Sequence, residues 1–369
     1  MTTSVHAAVL PDVGKSFVFE DLTLDDIEPD EVLVKITAVG LCHTDLAVQS
    51  GDIPGAFPFV LGHEGAGVIE KVGDAVTGLQ PGDAVAMSFA ACGHCRNCLA
   101  GKEAYCLYFM PLNFGGIRED GTTTLTDSEG AVVHGNFFGQ SSFATHAIAA
   151  AKNVVKLPDD APTEIAGPLG CGIQTGAGTV LNSLDVPAGS SIVVTGTGAV
   201  GLSAIMGAKV AGATTIIAVD IIDSRLEFAT TLGATHTINS KNEDVTARIT
   251  EITGGGAEYG VDTTGVGPVM ASLLSSVGFG AKVAFIAVSK PGTTLDVGLF
   301  SGKTIVGGIE GDSIPQNFIP QLINLYKAGQ FPFDQLITTY PFDQLEQAID
   351  DTRTGTSVKA VLVMPTTES

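Results

Sequence analysis

Basic residues are scarce. Eighteen Lys and Arg stand against 40 Asp and Glu, a formal net charge of −22. A polyanion is bound through clustered cations, so neither nucleic acid nor an anionic membrane surface is an expected partner. Long apolar runs are missing as well. The stretches around Ser191–Val194 and Ile216–Val219 are strand-sized and broken by Gly or Thr, well short of the ~20 residues that cross a bilayer. The opening segment from Met1 to Lys15 has no basic stretch leading into an apolar one, so no secretory leader is expected and a cytoplasmic location is. Cysteine is limited to six residues. In such a compartment they read as metal ligands or catalytic groups rather than disulfides.

What is present is globular: 369 residues, 44% hydrophobic and 16% charged. That length suggests about two domains and a core large enough to need no crosslinks. Toward the N-terminus, short apolar segments at Val5–Leu10, Val32–Val39, Gly67–Val72 and Ala84–Met87 are separated by Gly, Pro and Asp, which predicts an irregular β-rich domain. From about Ile173 the texture changes. Strand-like Ser191–Thr195, Thr215–Asp220, Val261–Thr263 and Ala281–Val288 alternate with helical stretches such as Ala199–Ala211 and Ser224–Leu232. Alternation of this kind predicts a parallel sheet with crossover helices. Helices at Pro315–Ala328 and Leu345–Asp350 and a strand at Val358–Val363 are expected to close the chain.

The strand Ser191–Thr195 runs into Gly196-Thr-Gly198-Ala-Val-Gly201 and then into a helix. Gly196 allows the tight turn, Gly198 admits a pyrophosphate to the backbone amides, and Gly201 lets helix and strand pack closely. The helix N-terminus then faces the phosphates. Asp220 ends the next strand, where a carboxylate would hold the adenosine ribose and repel a 2′-phosphate, so NAD is favoured over NADP. Arg225 follows within reach of the ribose or adenine.

Cys92-Gly-His-Cys95-Arg-Asn-Cys98, then seven residues, then Cys106, places four thiols in a segment without apolar periodicity. Four thiolates close a tetrahedral zinc site with no open position, which makes it structural; an Fe–S cluster is the competitor. Cys42, His63 and Cys171 remain. Two thiolates and an imidazole can form an open, catalytic zinc site, although lone Cys and His residues more often simply pack.

Together, Gly62-His63-Glu64-x-x-Gly67, the cysteine lobe, Gly170-Cys171-Gly172 and the Gly196–Gly201 loop resemble the zinc-dependent medium-chain alcohol dehydrogenases over essentially the whole chain. The similarity is strongest toward bacterial aryl (benzyl) alcohol dehydrogenases, in Cys42-His-Thr-Asp-Leu, Phe137-Phe-Gly-Gln-Ser-Ser-Phe-Ala-Thr and Gly167-Pro-Leu-Gly-Cys-Gly-Ile-Gln-Thr-Gly-Ala-Gly. The resemblance implies an α/β fold: a Rossmann NAD-binding domain (173–312) and a β-rich GroES-like catalytic domain (1–172, with a zinc lobe at 92–106) to which 313–369 return. Substrate is then expected in the cleft between the domains.

It further implies two Zn²⁺ per chain, the catalytic one held by Cys42, His63 and Cys171. Asp45 would orient His63, and Glu64 would lie behind the metal. Thr44 would relay the alcohol proton, and Thr175 would pack against nicotinamide. His43 and Lys359 would face the pyrophosphate, and Phe89, Phe137 and Phe138 would line an aromatic pocket. Many relatives carry a His where this chain has Ala47, which leaves the terminal proton acceptor unassigned. The implied activity is interconversion of primary aryl or allylic alcohols and aldehydes by a homodimer or homotetramer. The rivals are a glutathione-dependent formaldehyde or polyol dehydrogenase, and a non-catalytic scaffold.

Overall fold

The computed structural model describes residues 2–365. They gather into two compact units. One comprises the chain up to Cys171 together with Ile314–Ile323 and the residues from Asp334 onward; the other comprises Gly172–Ser313 and Asn324–Phe333.

The first unit is built on two β-sheets. One orders its five strands Phe59–Val60, Thr3–Leu10, Val18–Leu24, Leu125–Thr126 and Val132–Val133. The other centres on Glu31–Gly40, which pairs antiparallel with Glu64–Val72 on one side and with Lys359–Val363 on the other. Burial of Val32, Leu33, Val34, Ile36, Ala38 and Val39 shows why this long strand reads as nearly continuous apolar sequence: both of its faces are covered. Glu64 thus begins a central strand, which gives the residues around it a rigid frame.

The strand His146–Ala150 also lies on this sheet, with His146 opposite Lys35. Burial pushes the His146 imidazole below its ordinary value; the Glu70 carboxylate opposes this and the Lys35 ammonium adds to it. The folded protein therefore binds fewer protons here than the unfolded chain, and this contribution to stability is lost as the pH falls below the unfolded value of about 6.5. His146→Gln, which cannot titrate, should lose less stability than wild type between about pH 7.5 and 5.5. Urea midpoints at the two pH values check this; equal losses in both proteins would contradict it.

The second unit holds a six-stranded parallel sheet in the order His236–Asn239, Thr215–Asp220, Ser191–Thr195, Ala257–Asp262, Val277–Phe285 and Thr304–Gly307. The chain runs outward in one direction from Ser191–Thr195, then returns to continue on its other side. That reversal opens a crevice at the carboxyl end of the first strand, the place where open α/β sheets bind ligands. Its core is Val193, Ile217, Val219, Ile238, Ile249, Leu273, Leu274 and Val283.

Several boundaries differ from the sequence reading. The strand expected at Ala281–Val288 occupies Val277–Phe285, and the closing helix expected to stop at Asp350 continues through Thr354 to a left-handed Gly355. Helices at His43–Ser50, Val245–Thr253 and Gly267–Ser276 had no counterpart in the sequence reading. No helix among the described residues is long and apolar enough to cross a membrane.

Candidate functional site

Cys42 caps the helix His43–Ser50, and Asp45 stands at the third helical position. Asp45 Oδ2 accepts the Cys42 N–H at 3.0 Å, satisfying one of the amides a helix start leaves open. Its Oδ1 accepts the Gly62 N–H at 3.0 Å and the His63 Nδ1–H at 3.2 Å. One fully buried carboxylate therefore sets the helix start, the Gly62 backbone and the His63 ring. Because an ionised carboxylate only accepts, Asp45 holds a proton on Nδ1 and leaves Nε2 as the ring atom that takes up a second proton or a metal. His63 Nε2 is buried and has no hydrogen-bond partner.

The ligand atoms of Cys42, His63, Glu64 and Cys171 all lie within 4.8 Å of one another. The hydrogen bond from Cys171, with smaller contributions from His63 and Lys359, holds the Cys42 thiol well below its ordinary value despite burial. Burial works to lower His63, but the Asp45 and Cys42 charges outweigh it and raise the imidazole. The cluster is thus an anionic pocket drawing positive charge to Nε2. Two sulfurs and an aimed imidazole are a donor set suited to zinc, so a metal fits these residues.

Thr44 Oγ1 lies 3.7 Å from Cys42 Sγ, and His43 is exposed one residue earlier. Lys359 differs from its expected place. Its ammonium is buried, donating to both Glu64 oxygens at 2.8 Å and to the Leu41 carbonyl at 3.1 Å. Three acceptors use all three N–H directions, leaving none for a pyrophosphate in this arrangement. The physical reason is Glu64, which is fully buried and pushed by desolvation up to about 7 even with the Lys359 charge beside it.

The aromatic residues also need correction. Phe137 has 0% exposure and packs edge-on against Phe59, Phe114 and His63, so it is core rather than pocket wall. Phe138 stacks on the His63 ring with centroids 4.4 Å apart, and Phe89 is buried beside Phe109. Sequence reasoning also missed Gln140, whose side chain bonds the backbone on both sides of Glu64. A buried amide of this kind has no linear signal.

The four lobe thiols of Cys92, Cys95, Cys98 and Cys106 likewise converge within 4.8 Å, and none is in a disulfide. Cys98 Sγ is 3.9 Å from Cys92 Sγ and 3.5 Å from Cys95 Sγ. A tetrahedral zinc with arms of about 2.3 Å has sulfur–sulfur edges of about 3.8 Å, so this set fits zinc as well. Backbone N–H groups, those of Cys98 and Leu107 foremost, lower the Cys95 thiol to about 6, whereas burial raises Cys98 to about 12. Leu99, Leu107 and Met110 are each more than half exposed, so the lobe does not close over a core of its own.

In the second unit, Gly196 is left-handed (φ +87°), and a Cβ there would meet Thr263 Oγ1 at 2.5 Å. A Cβ on Gly201 would strike the Gly196 carbonyl, whereas one on Gly198 would meet nothing within 4 Å. The first two glycines are required by packing and the third keeps a cradle open at the start of the helix Ala199–Ala211, which fits a dinucleotide phosphate. Asp220 Oδ2 accepts Thr197 N–H and O–H at 2.7 and 2.6 Å, and Oδ1 accepts the Ile221 and Ile222 amides. Arg225 is half-buried, and its Nε has no partner. Thr175 Oγ1 donates to Glu310 Oε2 at 3.4 Å.

Residues 28–159 match the family described as the alcohol dehydrogenase GroES-like domain, and residues 199–328 match the zinc-binding dehydrogenase family. The chain is 46% identical to a geraniol dehydrogenase of Castellaniella defragrans, covering 98% of each. It is 35% identical to an S-(hydroxymethyl)glutathione dehydrogenase of Saccharomyces cerevisiae, covering 96% of this chain and 95% of that one. Among solved structures, the benzyl alcohol dehydrogenase of Acinetobacter calcoaceticus superposes with a TM-score of 0.95 at 46% identity, over 98% of this chain and 100% of that chain.

Proposed function

The chain belongs to the zinc-binding medium-chain alcohol dehydrogenases, and from that premise we propose that it interconverts primary allylic or aryl alcohols and their aldehydes with NAD. The observation that carries the reading is the buried His63 Nε2, partnerless and aimed among the Cys42 and Cys171 thiols. Cys42, His63 and Cys171 hold one zinc, and Cys92, Cys95, Cys98 and Cys106 hold a second. At the first site zinc supplies Lewis acidity that lowers an alcohol's pKa, and NAD supplies the hydride acceptor.

The chain's own residues do the rest. Asp45 fixes the ring and tautomer of His63. Thr44 takes up the alcohol proton as it hands on its own, toward water or toward His43 by way of the nicotinamide ribose, because Ala47 offers no imidazole. Lys359 neutralises Glu64 behind the metal ligands. Gly196, Gly198 and Gly201 hold the pyrophosphate, Asp220 and Arg225 the adenosine ribose, and Thr175 the nicotinamide. In this reading 1–172 and 313–369 form the catalytic domain and 173–312 the nucleotide domain. The strand Thr304–Gly307 leaves a sheet edge open, which supports a homodimer or homotetramer.

The geraniol and benzyl alcohol relatives support an allylic or aryl substrate. The S-(hydroxymethyl)glutathione relative keeps the thiol-adduct reading as the rival. The test is kcat/KM followed at the NADH absorbance band with geraniol, benzyl alcohol, ethanol and S-(hydroxymethyl)glutathione. Geraniol or benzyl alcohol should lead, with NAD preferred over NADP. A lead for ethanol or the glutathione adduct would overturn the substrate reading, and a lead for NADP the Asp220 assignment.

A further inference from the structure

Gln140 sits in a tight loop with 2% of its surface exposed. Its Oε1 accepts the Gly65 N–H at 3.0 Å, and its Nε2 donates to the His63 carbonyl at 2.8 Å and the Ser88 carbonyl at 3.4 Å. Ser88 Oγ in turn donates to the Gly170 carbonyl at 2.6 Å, immediately before Cys171. Buried hydrogen bonds on either side of Ser88, one to its carbonyl and one from its hydroxyl, thus link the backbone of His63 to the backbone entering Cys171. We propose that Gln140, acting with Ser88, is a positioning residue that holds these two ligands in register for the metal; the proposal rests on the zinc reading given above.

The loop that delivers Gln140 is itself under constraint. Asn136, Phe138 and Ser141 are left-handed, with φ of 65°, 51° and 54°. A phenylalanine in that region is strained and persists only where its surroundings over-determine it. Here they do. Ser141 Oγ accepts the Phe137 N–H at 2.8 Å and donates to the Val60 carbonyl at 2.6 Å, and the Ser142 N–H donates to the Gly62 carbonyl at 2.8 Å. The strained turn brings Phe138 face-on to His63 and points the Gln140 amide at the His63 backbone. His63 is therefore fixed by Asp45 at Nδ1, by an aromatic face on its ring, and by Gln140 at its carbonyl.

The chemistry suits a primary amide. Gly65 presents a donor and His63 an acceptor, so the residue between them must accept with one atom and donate with another. An ionised carboxylate would leave the His63 and Ser88 carbonyls facing a second acceptor, whereas a thioether of the same length offers neither the donor nor the strong acceptor. No side chain fits between: a Cβ on Gly65 would meet Met87 Cε at 2.5 Å and Ser142 Cβ at 2.6 Å.

The test uses the zinc-loaded full chain and two variants, Gln140→Met and Ser88→Ala. Zinc loss to excess chelator is followed in time, and the first site is also loaded with Co²⁺ to record its d–d and sulfur-to-cobalt absorption. Gln140→Met, which keeps the length but loses the donor and the amide oxygen, should release one zinc about 10–100-fold faster than wild type and alter the cobalt spectrum. The zinc held by Cys92, Cys95, Cys98 and Cys106 should leave at the wild-type rate. Ser88→Ala, which removes a single hydroxyl, should act in the same direction and carries the test alone if Gln140→Met does not fold. Wild-type release rates and cobalt spectra in the folded variants would overturn the proposal. A wild-type chain with no metal at Cys42, His63 and Cys171 would instead overturn the zinc reading, and the proposal with it.

Discussion

His63→Ala should leave a chain with one zinc in place of two and kcat/KM reduced by about 10³-fold or more. Lewis-acid stabilisation at a metal site is worth several kcal/mol, and each 1.4 kcal/mol is about tenfold in rate. His63 alone brings nitrogen to the two thiols, and its ring carries the contacts to Asp45, Phe137 and Phe138. Its removal also opens a cavity beside two aromatic rings, so a modest loss of stability accompanies the loss of metal. Metal analysis of the folded variant, paired with turnover at the NADH band, checks this. Two zinc ions and near-normal turnover would contradict it.

Cys98→Ala should have the larger effect on folding. Structural zinc contributes roughly 10–16 kcal/mol of apparent binding free energy at such sites, and that energy is folding energy for a segment without its own core. The exposure of Leu99, Leu107 and Met110 shows that apolar burial does not replace it. The damage should spread. The helix Phe109–Phe114 leaves the lobe, and its Phe109 and Phe114 rings pack edge-on against Phe138, which stacks on His63. Asn113 also clamps Ala90 through both its amide N–H and its carbonyl oxygen. Turnover should therefore fall although the lobe holds no reacting group. Limited proteolysis with mass analysis should find new cleavage between Cys92 and Phe114. Wild-type protease resistance with one zinc missing would contradict this account.

Legibility in the sequence followed how local each feature is. The Gly196–Gly201 loop and the four lobe cysteines are contiguous, and their spacing carries their chemistry. The Rossmann strands were readable because each is an apolar run bounded by turns. Cys42, His63 and Cys171 converge only in three dimensions, so resemblance grouped them where spacing alone left them open. The Lys359–Glu64 pair lies 295 residues apart in sequence, and no local pattern announces it. The helix His43–Ser50 was missed because its apolar stripe is thin and Cys42 is not one of the residues that usually open a helix; the reciprocal Cys42–Asp45 cap shows only in the structure. Phe137 went wrong for a different reason: an aromatic residue reads the same whether it walls a pocket or fills a core.

The central claim is that a metal ion sits where Cys42, His63 and Cys171 meet. Crystals of the purified chain, measured on both sides of the zinc absorption edge, test it most directly. The account predicts two anomalous peaks per chain, one among those three side chains and one among Cys92, Cys95, Cys98 and Cys106. A map with only the second peak, from protein that retains turnover, would contradict it.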